Sequence, residues 1–252
     1  MIIEFINTYS PFNFSEFDFS FFTFDIFCSY ILSGLLFSIF LTIVTTVFGL
    51  IFGVLLAMMR LSSIKLLSTL AIIYITAMRS IPLVMVILWF FVLLPLITGT
   101  SIGANKSALI TFTAFEAAYF AEIMRAGILS ISQGQKHAGQ ALGMTYWQNM
   151  RIVILPQAFR NMLPVFLTQI IILFQDTTLV YAISGNSLLN GFDIVSNNFG
   201  VKQEAYILAA IFYFLICFTL SQIVLLLQKK YPLFANRGEN NVYSYDRNEK
   251  CF

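Results

Sequence analysis

Long apolar runs, broken by short polar segments, dominate the chain from residue 30 to residue 228. Crossing the hydrocarbon layer takes roughly 20 mostly apolar residues in a helix, because a helix alone satisfies its own backbone groups where water is absent. Five stretches fit, near 30–59, 66–97, 107–128, 157–183 and 204–228. The second carries Arg79, Ser80 and Pro82 in mid-run. Proline removes a backbone donor and pushes the residue before it out of the helical region, so this span is expected to kink or break there. The third is weakly apolar, with Glu116 and Glu122 inside it. Gly49, Gly53 and Ala57 give the first span a small-residue face for close helix packing, either within the subunit or against another one.

Between the third and fourth spans the pattern changes to two short polar-faced helices. Ser132 with Gln135, and Thr145 with Gln148, fit the S/T-x-x-E/Q capping box that satisfies orphan amides at a helix start. Gly143 stands where the first helix ends, because glycine adopts the left-handed C-terminal cap without penalty. Ala138, Ala141 and Leu142 share one face of the first helix. Trp147, Met150, Arg151 and Ile154 share one face of the second. The insert over 132–155 is expected to be a compact helix-turn-helix knob able to dock into a groove, or else a plain connector.

Composition agrees with a membrane protein: 59% of the 252 residues are hydrophobic and 10% are charged. A net charge of +2 gives no argument for nucleic acid. Its placement is more informative. Eleven Lys and Arg (60, 65, 125, 136, 151, 160, 229, 230, 237, 247 and 250) fall on one side of the expected spans, and Lys106 and Lys202 on the other. The positive-inside bias therefore places the N terminus outside, with the insert and the tail in the cytoplasm. Residues 1–27 lack a basic start and a small-residue cleavage site, so they are read as a retained segment, interfacial or loosely packed outside the membrane. Residues 28–230 form the membrane domain, and 231–252 a polar cytoplasmic tail. Cys28, Cys217 and Cys251 form no metal-ligand spacing, and His137 is the single histidine, so no metal and no cofactor is expected.

Ionisable residues inside a bilayer are costly and usually functional. Glu122 and Arg125, three apart, can pair along one helix face. Arg79 sits beside the expected break, where a guanidinium and freed backbone amides can meet a carboxylate, with Glu116 as a candidate partner for an amino group. A structural pair of Arg79 with Glu116 or Asp176 is the alternative. Asp176 and Thr177 complete the candidate path, although such side chains also serve simply to hold helices together.

The insert also resembles the cytoplasmic signature of binding-protein-dependent ABC importer permeases: E-A-A, three residues, glycine, nine residues, then I-x-L-P. Those positions read His137, Ala138, Gly139, Gly143, Val153, Leu155 and Pro156, with His for the glutamate, Gly for the second alanine and Val for the isoleucine. Further blocks are similar to the polar amino-acid branch, and most closely to glutamate/aspartate importer permeases: MRSIPLVMVILWFFVLLP (78–95), FEAAYFAEIMRAGILSISQGQ (115–135) and ALGMTYWQNMRIVILPQAFRNMLPVFLTQIIILFQDTTLVYAIS (141–184).

The resemblance implies an all-α integral membrane protein of about five transmembrane helices, with the type I ABC importer permease fold and a cytoplasmic coupling helix. It implies a multi-pass subunit of the bacterial inner membrane. The partners implied are an ABC ATPase dimer, a second permease subunit (a sister chain or a second copy) and an extracytoplasmic amino-acid-binding protein. His137, Ala138, Gly139, Gly143, Leu155 and Pro156 are then the coupling residues, and Arg79, Glu116, Asp176 and Thr177 line the substrate path. The chain has no glycine-rich phosphate loop ending in Gly-Lys-Ser/Thr, so ATP is bound and hydrolysed by a partner and this subunit is not an enzyme. A self-sufficient secondary carrier would also need buried charges and a broken helix, but no second half of similar pattern is present. A membrane scaffold would explain the knob and not Arg79.

Overall fold

The computed structural model describes residues 19–230. The polar tail and most of the N-terminal segment lie outside the described residues.

The first helix, α1 (Phe24–Arg60), opens with Thr23, whose hydroxyl accepts from the Ile26 amide at 3.4 Å. It therefore starts earlier than the apolar run alone predicts. Two helices of 16 residues follow, α2 (Lys65–Ser80) and α3 (Leu83–Thr98). At 1.5 Å per residue neither spans a bilayer alone. Together they are long and apolar enough for one span, broken and bent by 109° or re-entrant, so the expected break at Pro82 is present and sharp. Ile81 lies in extended backbone, which is what a following proline demands. Next come α4 (Ala104–Leu129), the short α5 (Gln133–Ala141) and α6 (Tyr146–Ile183). An amphipathic helix α7 (Leu188–Phe199) and the last span α8 (Lys202–Lys230) complete the bundle.

The helix with the weakest apolar signal, α4, is the central one. Of its apolar stretch 61% is buried, against 28% for α1 and for α6 and 11% for α8. A helix surrounded by protein does not have to present a hydrocarbon surface to lipid, so Glu116, Thr111 and several alanines are tolerated there. The small-residue face of α1 packs on it, within the subunit. A Cβ on Gly53 would lie 2.7 Å from Phe120 Cβ and 3.0 Å from the Ala121 amide nitrogen, so only glycine permits this approach. Outward-facing positions are apolar, as on Ile43, Val47, Ile51 and Leu55 of α1 and Phe214 and Phe218 of α8.

Two polar ties define the ends of the bundle. At one end Asn105 accepts from the Asn186 amide at 2.8 Å, and the Asn186 side chain donates to the Ser33 hydroxyl at 3.0 Å, joining α1, α4 and the end of α6. At the other end, beside the insert, Glu122 of α4 is held by Arg60 of α1. Four helices, α1, α4, α6 and α8, are long and apolar enough to cross a membrane, and the α2–α3 pair, taken as one span, makes a fifth. The sequence pattern did not mark α7, although Ser187 caps it and Leu188, Phe192 and Val195 are its buried face.

Candidate functional site

The break between α2 and α3 opens a cavity of about 460 Å³ whose wall includes Arg79, Ser80, Glu116, Tyr119, Gln169 and Asp176. Three of the four residues expected on the path meet there. The fourth, Thr177, is fully buried behind the wall and donates its hydroxyl to the Phe174 carbonyl at 2.7 Å. Its role in this structure is to close the last turn before α6 tightens into the 3-10 segment Thr177–Ile183. A larger hollow of about 650 Å³ between α1, α2 and α4 has Phe48, Phe52, Leu55 and Leu109 in its wall and no Asp, Glu, Lys, Arg or His, so the charged chemistry belongs to the smaller cavity.

Within the cavity Glu116 has no solvent exposure, and its carboxylate oxygens accept from Gln169 Nε2 at 3.1 and 3.4 Å. Arg79 pairs with neither Glu116 nor Asp176. Its guanidinium carbon lies 5.5 Å above the Tyr119 ring, and its Nη1 is 3.7 Å from Glu122 Oε2, beyond hydrogen-bond reach. Glu122 is already occupied: Arg125 donates to Oε1 through Nη2 at 2.5 Å and Nε at 3.1 Å, and Arg60 donates to Oε2. The Glu122–Arg125 pair expected from their spacing is present, but as part of a larger cluster. The cavity thus offers one fork of donors, held loosely, facing two carboxylates and an amide.

The insert is a tight hairpin. Gly143 has φ +74°, its amide donates to the Gln140 carbonyl at 2.9 Å, and the Met144 amide reaches back to Gly139 at 3.1 Å. That double closure is the glycine-dependent C-cap. Thr145 and Gln148 form their capping box, each side chain accepting from the other residue's amide. The other expected box is absent: the Gln135 amide donates to the Ser132 carbonyl at 3.1 Å rather than to its hydroxyl, and the Gln135 side chain accepts from Gln157 on α6 at 3.4 Å.

Asn149 closes the hairpin by donating to the Lys136 carbonyl at 2.8 Å. It lies against Gly139, where a Cβ would come within 2.3 Å of the Asn149 amide oxygen. Glycine in place of the signature's second alanine is therefore matched to this asparagine. The second short helix is not separate from the fourth span. It continues into it through a π turn, Met150–Ile154, immediately before Pro156. Widening the helix there relieves the clash of a proline ring with the carbonyl four residues back. The π turn also buries Met150 and Ile154 while Trp147 stays 53% exposed, so these residues do not share one face. His137 and Ala138 are exposed on α5, Leu155 is half-buried and Pro156 exposed on α6. Leu142 and Tyr146 stand out at the tip of the hairpin.

Residues 49–231 match the family model described as "Binding-protein-dependent transport system inner membrane component". The chain belongs to this family. It is thus a multi-pass inner-membrane permease, a non-catalytic subunit whose ATPase is a separate protein. The permease is 43% identical over 208 residues to the glutamate/aspartate import permease protein GltK of Escherichia coli O6:H1, covering 80% of this chain and 93% of that one. It is 35% identical over 198 residues to the L-cystine transport system permease protein TcyB of Bacillus subtilis, covering 78% and 84%. Among solved structures it is similar to a crystal structure of an amino acid ABC transporter with histidines, with a TM-score of 0.74 and 31% identity over 81% of this chain and 95% of that one.

Sequence reasoning missed Tyr119, Gln169, Ser80 and Arg60 of this permease. Tyr119 was within reach, because Glu116, Tyr119, Glu122 and Arg125 recur every three residues along one helix. Gln169 and Arg60 come from other helices, and no local spacing points to them.

Proposed function

We propose that this permease lines the path of an ATP-driven importer for glutamate and aspartate, together with a sister permease subunit. A dimer of ATPase subunits docks on the insert, and an extracytoplasmic binding protein delivers the amino acid. The observation that carries this reading is the polar cavity at the broken span, where one guanidinium faces two carboxylates inside a membrane bundle. An amino acid is a zwitterion of complementary form. Arg79 takes its α-carboxylate as a fork, and Glu116 with Asp176 receives the α-ammonium. The acidic side chain is supported by the resemblance to GltK. The excess of Lys and Arg at the insert end supports a cytoplasmic insert and C terminus and an outside N terminus. With that orientation the hairpin of α5 is the coupling helix: Gly143 sets its turn, Pro156 its junction to α6, and Leu142 and Tyr146 its contact surface.

The test is uptake of radiolabelled glutamate by the complete complex in proteoliposomes with ATP and the binding protein. Arg79→Gln removes a charge-assisted contact and should lower uptake on the order of tenfold to a hundredfold while the complex still assembles. Wild-type uptake by an assembled Arg79→Gln complex would sink the assignment.

A further inference from the structure

The charges around Glu122 do not balance. Three guanidiniums, Arg60 of α1, Arg79 of α2 and Arg125 of α4, converge on a single carboxylate. The cluster carries a formal surplus of two positive charges inside a bundle whose other buried charges are scarce. It is not sealed: the three arginine side chains are 24%, 41% and 27% exposed and Glu122 is 22% exposed. Its geometry is also incomplete on one side. Arg125 grips one oxygen of Glu122 and Arg60 the other, while Arg79 reaches the oxygen already taken by Arg60 at 3.7 Å and makes no hydrogen bond through its guanidinium among the described residues.

The cluster is continuous with the cavity, because Arg79 and Tyr119 belong to the cavity wall and Tyr119 lies between Glu116 and Glu122 on α4. Six residues of helix separate the two carboxylates, a rise of about 9 Å. Inside the cavity itself the balance is the opposite, with Arg79 as the one cation against Glu116 and Asp176. An acidic amino acid carries two carboxylates and one ammonium. Its α-groups use up Arg79 and the cavity carboxylates, and its second carboxylate finds no cation there.

We infer that the arginine cluster around Glu122 is a second anion subsite, on the insert side of the cavity, which receives the side-chain carboxylate of an acidic substrate. The carboxylate takes the place of Glu122 on Arg60, on the side where Arg79 lies 3.7 Å from Glu122 Oε2 without a hydrogen bond, and Glu122 keeps the guanidiniums apart and aimed while the site is empty. The inference rests on the reading of the cavity as an amino-acid site and adds the element that distinguishes acidic from neutral substrates. Glu122 is on this account a positioning residue, and Arg60 a specificity determinant.

The experiment is equilibrium binding of radiolabelled glutamate and of glutamine, its neutral isostere, to the complete complex in lipid nanodiscs without the binding protein. A second charge-assisted contact should favour glutamate by about tenfold. Arg60→Gln should bring the ratio toward unity. Arg60→Lys should be intermediate, since it keeps the charge and loses the fork. Glu122→Gln should raise the ratio, because it removes the competing carboxylate. A merely loosened bundle weakens both amino acids together and leaves the ratio unmoved. A ratio unchanged in Arg60→Gln and in Glu122→Gln, with both ligands still binding, overturns the subsite alone. Failure of the wild type to bind either amino acid overturns the cavity reading and the subsite with it.

Discussion

Adding one methyl group at Gly139 should disrupt the insert. A Cβ there falls 2.3 Å from Oδ1, 2.4 Å from Cγ and 2.6 Å from Nδ2 of Asn149, distances that real Cβ atoms do not show. Asn149 is only 7% exposed and is fixed by its hydrogen bond to the Lys136 carbonyl, so it has nowhere to retreat without breaking that bond. Overpacking costs about 1–3 kcal/mol and the lost hydrogen bond about 1 kcal/mol, so Gly139→Ala should splay the hairpin at a cost of about 2–4 kcal/mol. At the low end that is about a thirtyfold shift in the hairpin equilibrium. If the ATPase docks on the hairpin as proposed, the expected result in proteoliposomes is a rise in ATP hydrolysed per amino acid imported, because the hairpin no longer holds one geometry. Hydrogen exchange of residues 145–149 should speed up in parallel. Asn149→Ala removes the obstructing side chain, together with an amide oxygen that has no partner among the described residues. The double variant Gly139→Ala with Asn149→Ala should therefore recover most of the loss, and the cycle of four proteins isolates the pairwise term. Normal coupling in Gly139→Ala, or no recovery in the double variant, would refute the matched pair.

Gly143→Val places a β-branched residue at φ +74°, a strain of about 1–2 kcal/mol; ATP hydrolysis should continue while uptake falls, and unchanged uptake would count against the turn as a coupling element. Gly53→Leu drives a side chain into Phe120 and the α4 backbone, an overpacking of about 1–3 kcal/mol or more. A thermal melt of the detergent-solubilised permease should show a lower midpoint, whereas no shift would mean that α1 and α4 pack elsewhere.

The resemblance to the importer permeases was legible in long blocks, because each block is local. The break at Pro82 follows from one residue's missing donor, and the hairpin turn from one glycine's freedom at positive φ. Thr145 and Gln148 formed the box that their spacing predicts. Ser132 and Gln135 have the same spacing and did not: the Gln135 amide bonds the Ser132 carbonyl, and Gln157, 22 residues away, took the glutamine side chain. The earlier start of α1 and the helix α7 were also readable in principle. Thr23 and Ser187 are local caps, but short amphipathic runs at the edge of a longer apolar pattern are easily absorbed into loops.

What the sequence determined by itself is the membrane class, the apolar runs of the candidate spans, the break at Pro82 and the glycine-turned insert. Each depends on hydrophobic period, on proline or on glycine, and those act over a few residues. Only the tertiary structure decided which charges meet between helices. Arg79 pairs with neither Glu116 nor Asp176 and lies 3.7 Å from Glu122, where α1, α2 and α4 bring three guanidiniums to one carboxylate. It also made the least apolar span the centre of the bundle, since burial against protein replaces the need for hydrophobicity against lipid. Spacing along α4 named the Glu122–Arg125 pair, but Arg60 and Arg79 come from other helices, and spacing along one helix cannot name them.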